Sequence, residues 1–426
     1  MTAQEFITRL LLEKYELAAI CTVLSFLVIF YVLKKKIHSV IDPLLLSAVS
    51  LAFSISVALF LFLCGEVDKE KITYFVIGQT LFLAIIYIVF PNRKKLNNKC
   101  VIKTVGANTK MLFVICFLIF IFVSLYSFSI NGIPLFQTTR YDVNIDNSSG
   151  ILGFLSRMKN SVVLFIAIYA YYLFDAKRYY ISITIILTIL IVSFLFGSKA
   201  FITTLIFPYY FYRYFYTRSL PHISVFFIVI ILISPVLLLM FSFLGQSGED
   251  SIVRFGIRIA EFGDIYWNAY PNNIIDEISY SNPLSNMTCL FWAPFRHIID
   301  ASVGDKTLTT GGGLIAEIVL GYPPIGAPNS PCIIMSWIYY KWAGLLFIFI
   351  FFLFVSFLYR RAYLRKCNTL VDCCLKGLLI HACLTCLLDI YIIFYELLQI
   401  ILFYTIYKFV WITNGLLKKN KFQNGV

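Results

Sequence analysis

Uncharged apolar runs of roughly 18 residues or more recur along almost the whole of this chain. A helix needs about 20 such residues to cross the hydrocarbon core of a bilayer. The wider composition agrees: 60% of residues are apolar and 13% are charged, where soluble domains carry about a quarter charged residues. The pattern predicts an all-α, polytopic integral membrane protein, with residues 1–426 forming a single transmembrane domain. Eleven spans are expected, at 17–33, 42–64, 72–90, 111–130, 155–174, 179–196, 200–216, 222–244, 332–358, 371–390 and 396–416. Asp389 and Glu396 mark the turn between the last two. Gly311 to Val319 is too short to span and reads as a re-entrant or interfacial helix.

Lysine and arginine set the orientation, because they collect on the cytoplasmic side. Lys34–Lys36, Arg93 to Lys110, Lys177 and Arg178, Arg213 and Arg218, Arg360 to Lys366, and Lys418 to Lys421 fall on every second loop. That side is therefore expected inside, with the C-terminus inside and the N-terminus outside. The first 16 residues, with Glu5, Arg9, Glu13, Lys14 and Glu16, do not read as a cleavable signal peptide. The net charge of +13 is a topology signal, so nucleic acid is not an expected partner. No internal repeat is visible, which counts against carriers built from two matching halves.

Two segments interrupt the apolar pattern on the outer side, a loop at 131–157 and a long one at 245–331. Chemistry is expected in the long one. Within it, Ile252–Tyr270 fits an amphipathic helix: Arg254, Arg258, Glu261 and Asn268 share one face, and Ile252, Phe255, Ile259, Phe262, Tyr266 and Tyr270 the other. The polar face reads either as a clamp for pyrophosphate, which guanidinium groups bind with paired hydrogen bonds, or as a solvated face with an Arg258–Glu261 ion pair. Arg140, Arg157, Lys199 and Arg296 are further outward cations, each readable as a phosphate ligand or as a contact to lipid headgroups. His297 is a lone outer histidine beside Trp292 and Phe295, and Glu317 is either a solvated or a partly buried acid. Cys373, Cys374, Cys383 and Cys386 lie in an expected span and read as small packing residues more readily than as a metal set. Cys289 and Cys332 are a candidate pair in an oxidising compartment. No phosphate-binding loop, dinucleotide fingerprint, nucleophile elbow or zinc-protease helix is present.

Several segments resemble one family, the bacterial oligosaccharide repeat-unit (O-antigen) polymerases of the Wzy type. They are GIPLFQTTR at 132–140, FGSKAFI at 196–202, VRFGIRIAEFGD at 253–264, APFRHIIDASVGDK at 293–306 and IGAPNSPCIIMSWIYYKWAGLLF at 325–347. Related sequences often carry arginine where this chain has Lys199, which keeps the charge and loses bidentate geometry. The resemblance implies a GT-C-like membrane glycosyltransferase architecture, with the 245–331 loop periplasmic and the chain in the bacterial inner membrane. It implies transfer of an undecaprenyl-pyrophosphate-linked glycan onto a new lipid-linked repeat unit. In that setting Arg254, Arg258, Lys199, Arg140 and Arg296 are expected to neutralise the pyrophosphate leaving group. Arg258 is expected to be catalytic, and Glu261 or Asp264 to act as base. Tyr266, Trp267, Tyr270 and His297 are expected to contact sugar or lipid. No metal or other cofactor is expected. The expected partners are the lipid-linked oligosaccharide, membrane lipid, a chain-length regulator of the Wzz type and a flippase. An O-antigen ligase, a lipid-linked oligosaccharide flippase and a small-solute transporter are the alternative readings.

Overall fold

A computed structural model describes residues 5–92, 105–136, 150–196, 203–219, 260–280, 282–295, 310–321 and 328–423. Among them the regular structure is entirely helical. The long helices are α1 (Tyr15–Leu33), α2 (Pro43–Cys64), α3 (Lys69–Val89), α4 (Ala107–Asn131), α5 (Gly150–Asp175), α6 (Tyr179–Leu195), α7 (Thr203–Phe211), α8 (Gly311–Leu320), α9 (Cys332–Tyr340), α10 (Gly344–Leu364), α11 (Leu370–Thr385) and α12 (Ile392–Gln423). Among the described residues, seven stretches are by length and composition long and apolar enough to cross a membrane: Tyr15–Leu33, Pro43–Cys64, Lys69–Val89, Ala107–Phe136, Ile151–Asp175, Cys332–Leu364 and Ile392–Leu416. At about 1.5 Å per residue, α6 and α11 reach roughly 25 Å, short of a full hydrocarbon core. The expected span at 222–244 lies outside the described residues.

Local chemistry sets the helix ends. Asp42 accepts a hydrogen bond from the Leu44 amide at 3.0 Å, with Pro43 at the first helical position, and Gly65 closes α2 at φ +79°. Thr369 and Asp372 open α11 with a reciprocal capping box. Pro208 lies inside α7, and the helix widens into a π-turn at Tyr212–Tyr216. The side chains that face outward from α1 and α10, such as Leu27, Tyr31, Leu346 and Phe354, are large, apolar and exposed. Such a surface suits lipid and is unfavourable in water.

The apolar run expected as one span at 332–358 is instead a helical hairpin. A methyl group on Gly78 would lie 3.7 Å from Ile333 and 3.0 Å from Ile348. In one unbroken helix those two residues would be about 22 Å apart. The reversal falls at Lys341, whose φ is +50°. Gly344 permits it: a Cβ there would stand 2.3 Å from both the Ser336 carbonyl oxygen and the Tyr74 hydroxyl.

The segment 260–280 packs on this hairpin and on α2. Asp276 accepts from Lys341 at 2.8 Å, from Lys71 at 2.8 Å and from the Trp337 indole at 2.8 Å. At the far end of the bundle a buried polar chain joins the α1–α2 connection to α7 and α10. His38 Nδ1 lies 3.1 Å from Asp42 Oδ2, the Tyr210 hydroxyl donates to the same oxygen at 3.1 Å, and Tyr363 meets His38 Nε2 at 2.5 Å.

Candidate functional site

Helices α5, α6, α7, α11 and α12 enclose a cavity of about 390 Å³, with Phe120 of α4 completing the wall. That volume falls at the small end of ordinary ligand sites, about 300–1,000 Å³. Its wall changes character with depth. At the end where α6 closes and the 386–391 turn joins α11 to α12, the lining is mostly polar, with Lys159, Asn160, Ser193, Thr203, Thr204, His381, Tyr395, Glu396 and Gln399, and Phe196 is its apolar member. One or two turns further along the same helices they are Val163, Leu164, Phe207, Pro208, Phe211 and Leu378. The cavity is therefore amphipathic, with a polar rim and an apolar floor.

Lys159 is the unusual member of the rim. It is 8% exposed, and among the described residues its partner is the ring of Phe196, whose centre lies 3.3 Å from Nζ. A cation–π contact contributes about 2 kcal/mol when desolvated, far less than the hydration an ammonium group loses on burial. No carboxylate lies within ion-pair distance among the described residues. An ionisable side chain held inside a membrane domain and facing a cavity is a functional candidate by default.

Neighbouring groups are better satisfied. His381 Nδ1 lies 3.5 Å from Glu396 Oε1. Asn160 donates to the Tyr395 hydroxyl at 2.9 Å. Behind that ring stands Arg157, its guanidinium carbon 5.0 Å from the ring centre. Arg157 also donates to the Leu290 carbonyl at 3.1 Å and to the Gly153 carbonyl at 3.3 Å. It thus braces Tyr395 and ties α5 to the 289–292 turn.

The residues singled out from sequence fall elsewhere. Arg140, Lys199, Arg254, Arg258, Arg296 and His297 lie outside the described residues. The expected amphipathic helix Ile252–Tyr270 is described only from Ala260. There it is a broken path, with a 3-10 turn at Glu261–Gly263, a short helix at Asp264–Ala269 and another 3-10 turn at Pro271–Asn273. Gly263 enforces the close approach to α2, since a Cβ would stand 2.5 Å from that of Val57. The ring faces expected to meet sugar or lipid are used in packing. Trp267 stacks on Phe6 at 4.4 Å, Tyr266 meets Phe75 at 5.6 Å, and Tyr270 meets Phe62 at 5.7 Å. All three are at least 97% buried.

Glu261 and Asp264 do not line the cavity. Asp264 Oδ1 is buried with no hydrogen-bond partner among the described residues. Burial pushes its carboxyl up to about 7, the charge of Glu261 adds to the rise, and the Ile265 amide opposes it.

Cys289 and Cys332 are both buried thiols, and no disulfide joins them. The three glycine amides that open α8 are already capped: Gly311 by the Tyr391 hydroxyl at 2.9 Å, Gly312 by Ser330 at 2.9 Å and Gly313 by Thr310 at 3.3 Å. That helix N-terminus therefore offers no free amides to an anion. Among the described residues no group of three His, Cys, Asp or Glu side chains is placed to hold a metal ion.

The rim residues carry a sequence signal of their own. Lys159, His381 and Glu396 are ionisable groups inside expected spans, and reading the spans as nearly charge-free passes over them. Among the described residues, Arg157 is the outward cation from sequence that stands beside this cavity, behind Tyr395. Comparison with known proteins returns no match: no family model, no curated protein and no solved structure aligns with this chain.

Proposed function

We propose that the chain is an inner-membrane glycosyltransferase of the repeat-unit polymerase type, built on a GT-C-like architecture. It transfers a growing glycan from undecaprenyl pyrophosphate onto a new lipid-linked repeat unit at the periplasmic face. The observation that supports this reading is the amphipathic cavity with a buried lysine amine at its rim, outside ion-pair distance of any acid among the described residues. An isoprenoid pyrophosphate has the complementary form, an apolar chain ending in an anion. The cavity end lined by Lys159 and Glu396 belongs to the helix ends taken as outward by the lysine and arginine distribution.

In this reading Lys159 holds the pyrophosphate and stabilises the charge that grows on it as the sugar departs. Lys199 stands in the connection between two lining residues, Phe196 and Thr203, and is a second cation for the same group. Arg140, Arg254, Arg258 and Arg296 remain proposed pyrophosphate ligands from the outer segments. The cavity takes the lipid head and leaves the glycan at its rim. The flippase reading gains one supporting observation, because ionisable groups do line a cavity within the helices.

The two readings separate in a deletion strain, by the surface lipopolysaccharide ladder on a silver-stained gel. Collapse to core plus one repeat unit supports the polymerase. Loss of all substituted core supports the flippase or a ligase. An unchanged ladder removes lipopolysaccharide glycan assembly from consideration.

A further inference from the structure

We infer that Glu396, positioned by His381, is the general base that takes the proton from the acceptor sugar hydroxyl; this rests on the glycosyl-transfer reading above. Glu396 is the only carboxylate lining the cavity among the described residues. It shares the rim with Lys159, so a lipid pyrophosphate on the ammonium brings its anomeric carbon to the same level of the membrane. Glu396 is 7% exposed, and His381 Nδ1 stands 3.5 Å from one of its oxygens.

The charged and titratable groups around Glu396 are Lys159 and Arg157 on α5, His381 on α11 and Tyr395 on its own helix.

The reaction balances without any further reagent. The acceptor oxygen bonds to the anomeric carbon of the donor glycan. The bond from that carbon to the pyrophosphate oxygen breaks, and its electron pair leaves with undecaprenyl pyrophosphate. The acceptor proton passes to Glu396 and then, through His381, to water at the rim. Glu261 and Asp264, the acids expected from sequence, line no part of this cavity and are not needed for the step.

The test uses the purified full chain in proteoliposomes, supplied with lipid-linked repeat units isolated from source cells lacking the protein. Binding is followed separately with undecaprenyl pyrophosphate. Removing a general base costs about 10²- to 10⁴-fold in rate. Glu396→Gln is therefore expected to lose at least about 100-fold in turnover while binding undecaprenyl pyrophosphate within about threefold of wild type. Glu396→Asp, which keeps the carboxylate, and His381→Asn, which removes the positioning ring, are expected to fold and to shift the pH dependence of turnover.

Turnover of Glu396→Gln within about threefold of wild type overturns the assignment. So does an unshifted pH profile in both Glu396→Asp and His381→Asn, which decides the matter if Glu396→Gln fails to fold. Failure of the underlying reading looks different: the wild-type chain itself then joins no repeat units.

Discussion

The amine of Lys159 sits 3.3 Å above the ring of Phe196, inside the helical bundle and outside ion-pair distance of any acid among the described residues. A group so placed lowers stability, because burial strips its hydration and the ring returns only part of the loss. Replacement by an uncharged residue of similar length should therefore have opposite effects on fold and function. Lys159→Met is expected to raise the thermal midpoint of the purified protein while abolishing polymer on the lipopolysaccharide gel. A lowered midpoint with normal polymer would identify Lys159 as a packing residue.

Asp264 predicts a pH dependence. Its carboxyl stands near 7 in the fold against an ordinary 3.8. A raised acid favours the protonated fold, so its penalty is absent below the unfolded value and grows as pH rises from about 4 to about 7. The full penalty is about 4 kcal/mol at most, at about 1.4 kcal/mol per unit. Asp264→Asn is expected to raise the thermal midpoint at pH 8 and to leave it unchanged at pH 4. Polymer formation should survive, because the cavity does not include this residue. Loss of polymer in a folded Asp264→Asn protein would return the base to the 261–264 segment.

Asp276 behaves in the opposite sense. Burial pushes its carboxyl up, but the hydrogen bonds from Lys341, Lys71 and Trp337 outweigh that and hold it at about 2. A depressed acid contributes stability above its unfolded value of 3.8, and the contribution is lost as pH falls toward 2. The side chain is 39% exposed, so solvent screening reduces the effect to about 1 kcal/mol. Asp276→Asn should make the 260–280 segment more sensitive to protease at pH 7, with little further change between pH 4 and pH 2. Equal cleavage of variant and wild type at pH 7 would show that packing on α2 alone holds the segment.

Gly344 tests the hairpin. A methyl there collides with the Ser336 carbonyl and the Tyr74 hydroxyl, both at 2.3 Å. The carbonyl belongs to the backbone of α9 and has no rotamer to escape into. Gly344→Ala is expected to cost about 1–3 kcal/mol, the usual range for overpacking, and to lower the thermal midpoint. A continuous helix across 332–358 would accept the same change with a small gain, since alanine is the better helix former.

The membrane architecture is legible in the sequence because lipid imposes a length and a composition on every crossing. That suffices to locate α1 to α6; Asp389 falls in the turn before α12, whereas Glu396 lies one turn inside that helix. The hairpin at Lys341 is illegible for the same reason: two apolar helices joined by three residues have the hydropathy of one long helix. The aromatic set Tyr266, Trp267 and Tyr270 is ambiguous in sequence because rings suited to stacking on a sugar are equally suited to a core, and in the fold these rings pack on Phe6, Phe62 and Phe75. Lys159, His381 and Glu396 lie on three helices far apart in the chain. Each alone reads as a stray polar residue near a helix end, and only packing brings them to one rim.

The most direct measurement is the affinity of the purified chain for undecaprenyl pyrophosphate and for uncharged undecaprenol, in wild type and in Lys159→Met. The account predicts that wild type binds the pyrophosphate at least about tenfold more tightly than the alcohol, a difference of about 1.4 kcal/mol. The variant is expected to bind both alike. Equal preference for the pyrophosphate in both proteins would contradict the central claim that the cavity rim at Lys159 holds an anionic lipid head.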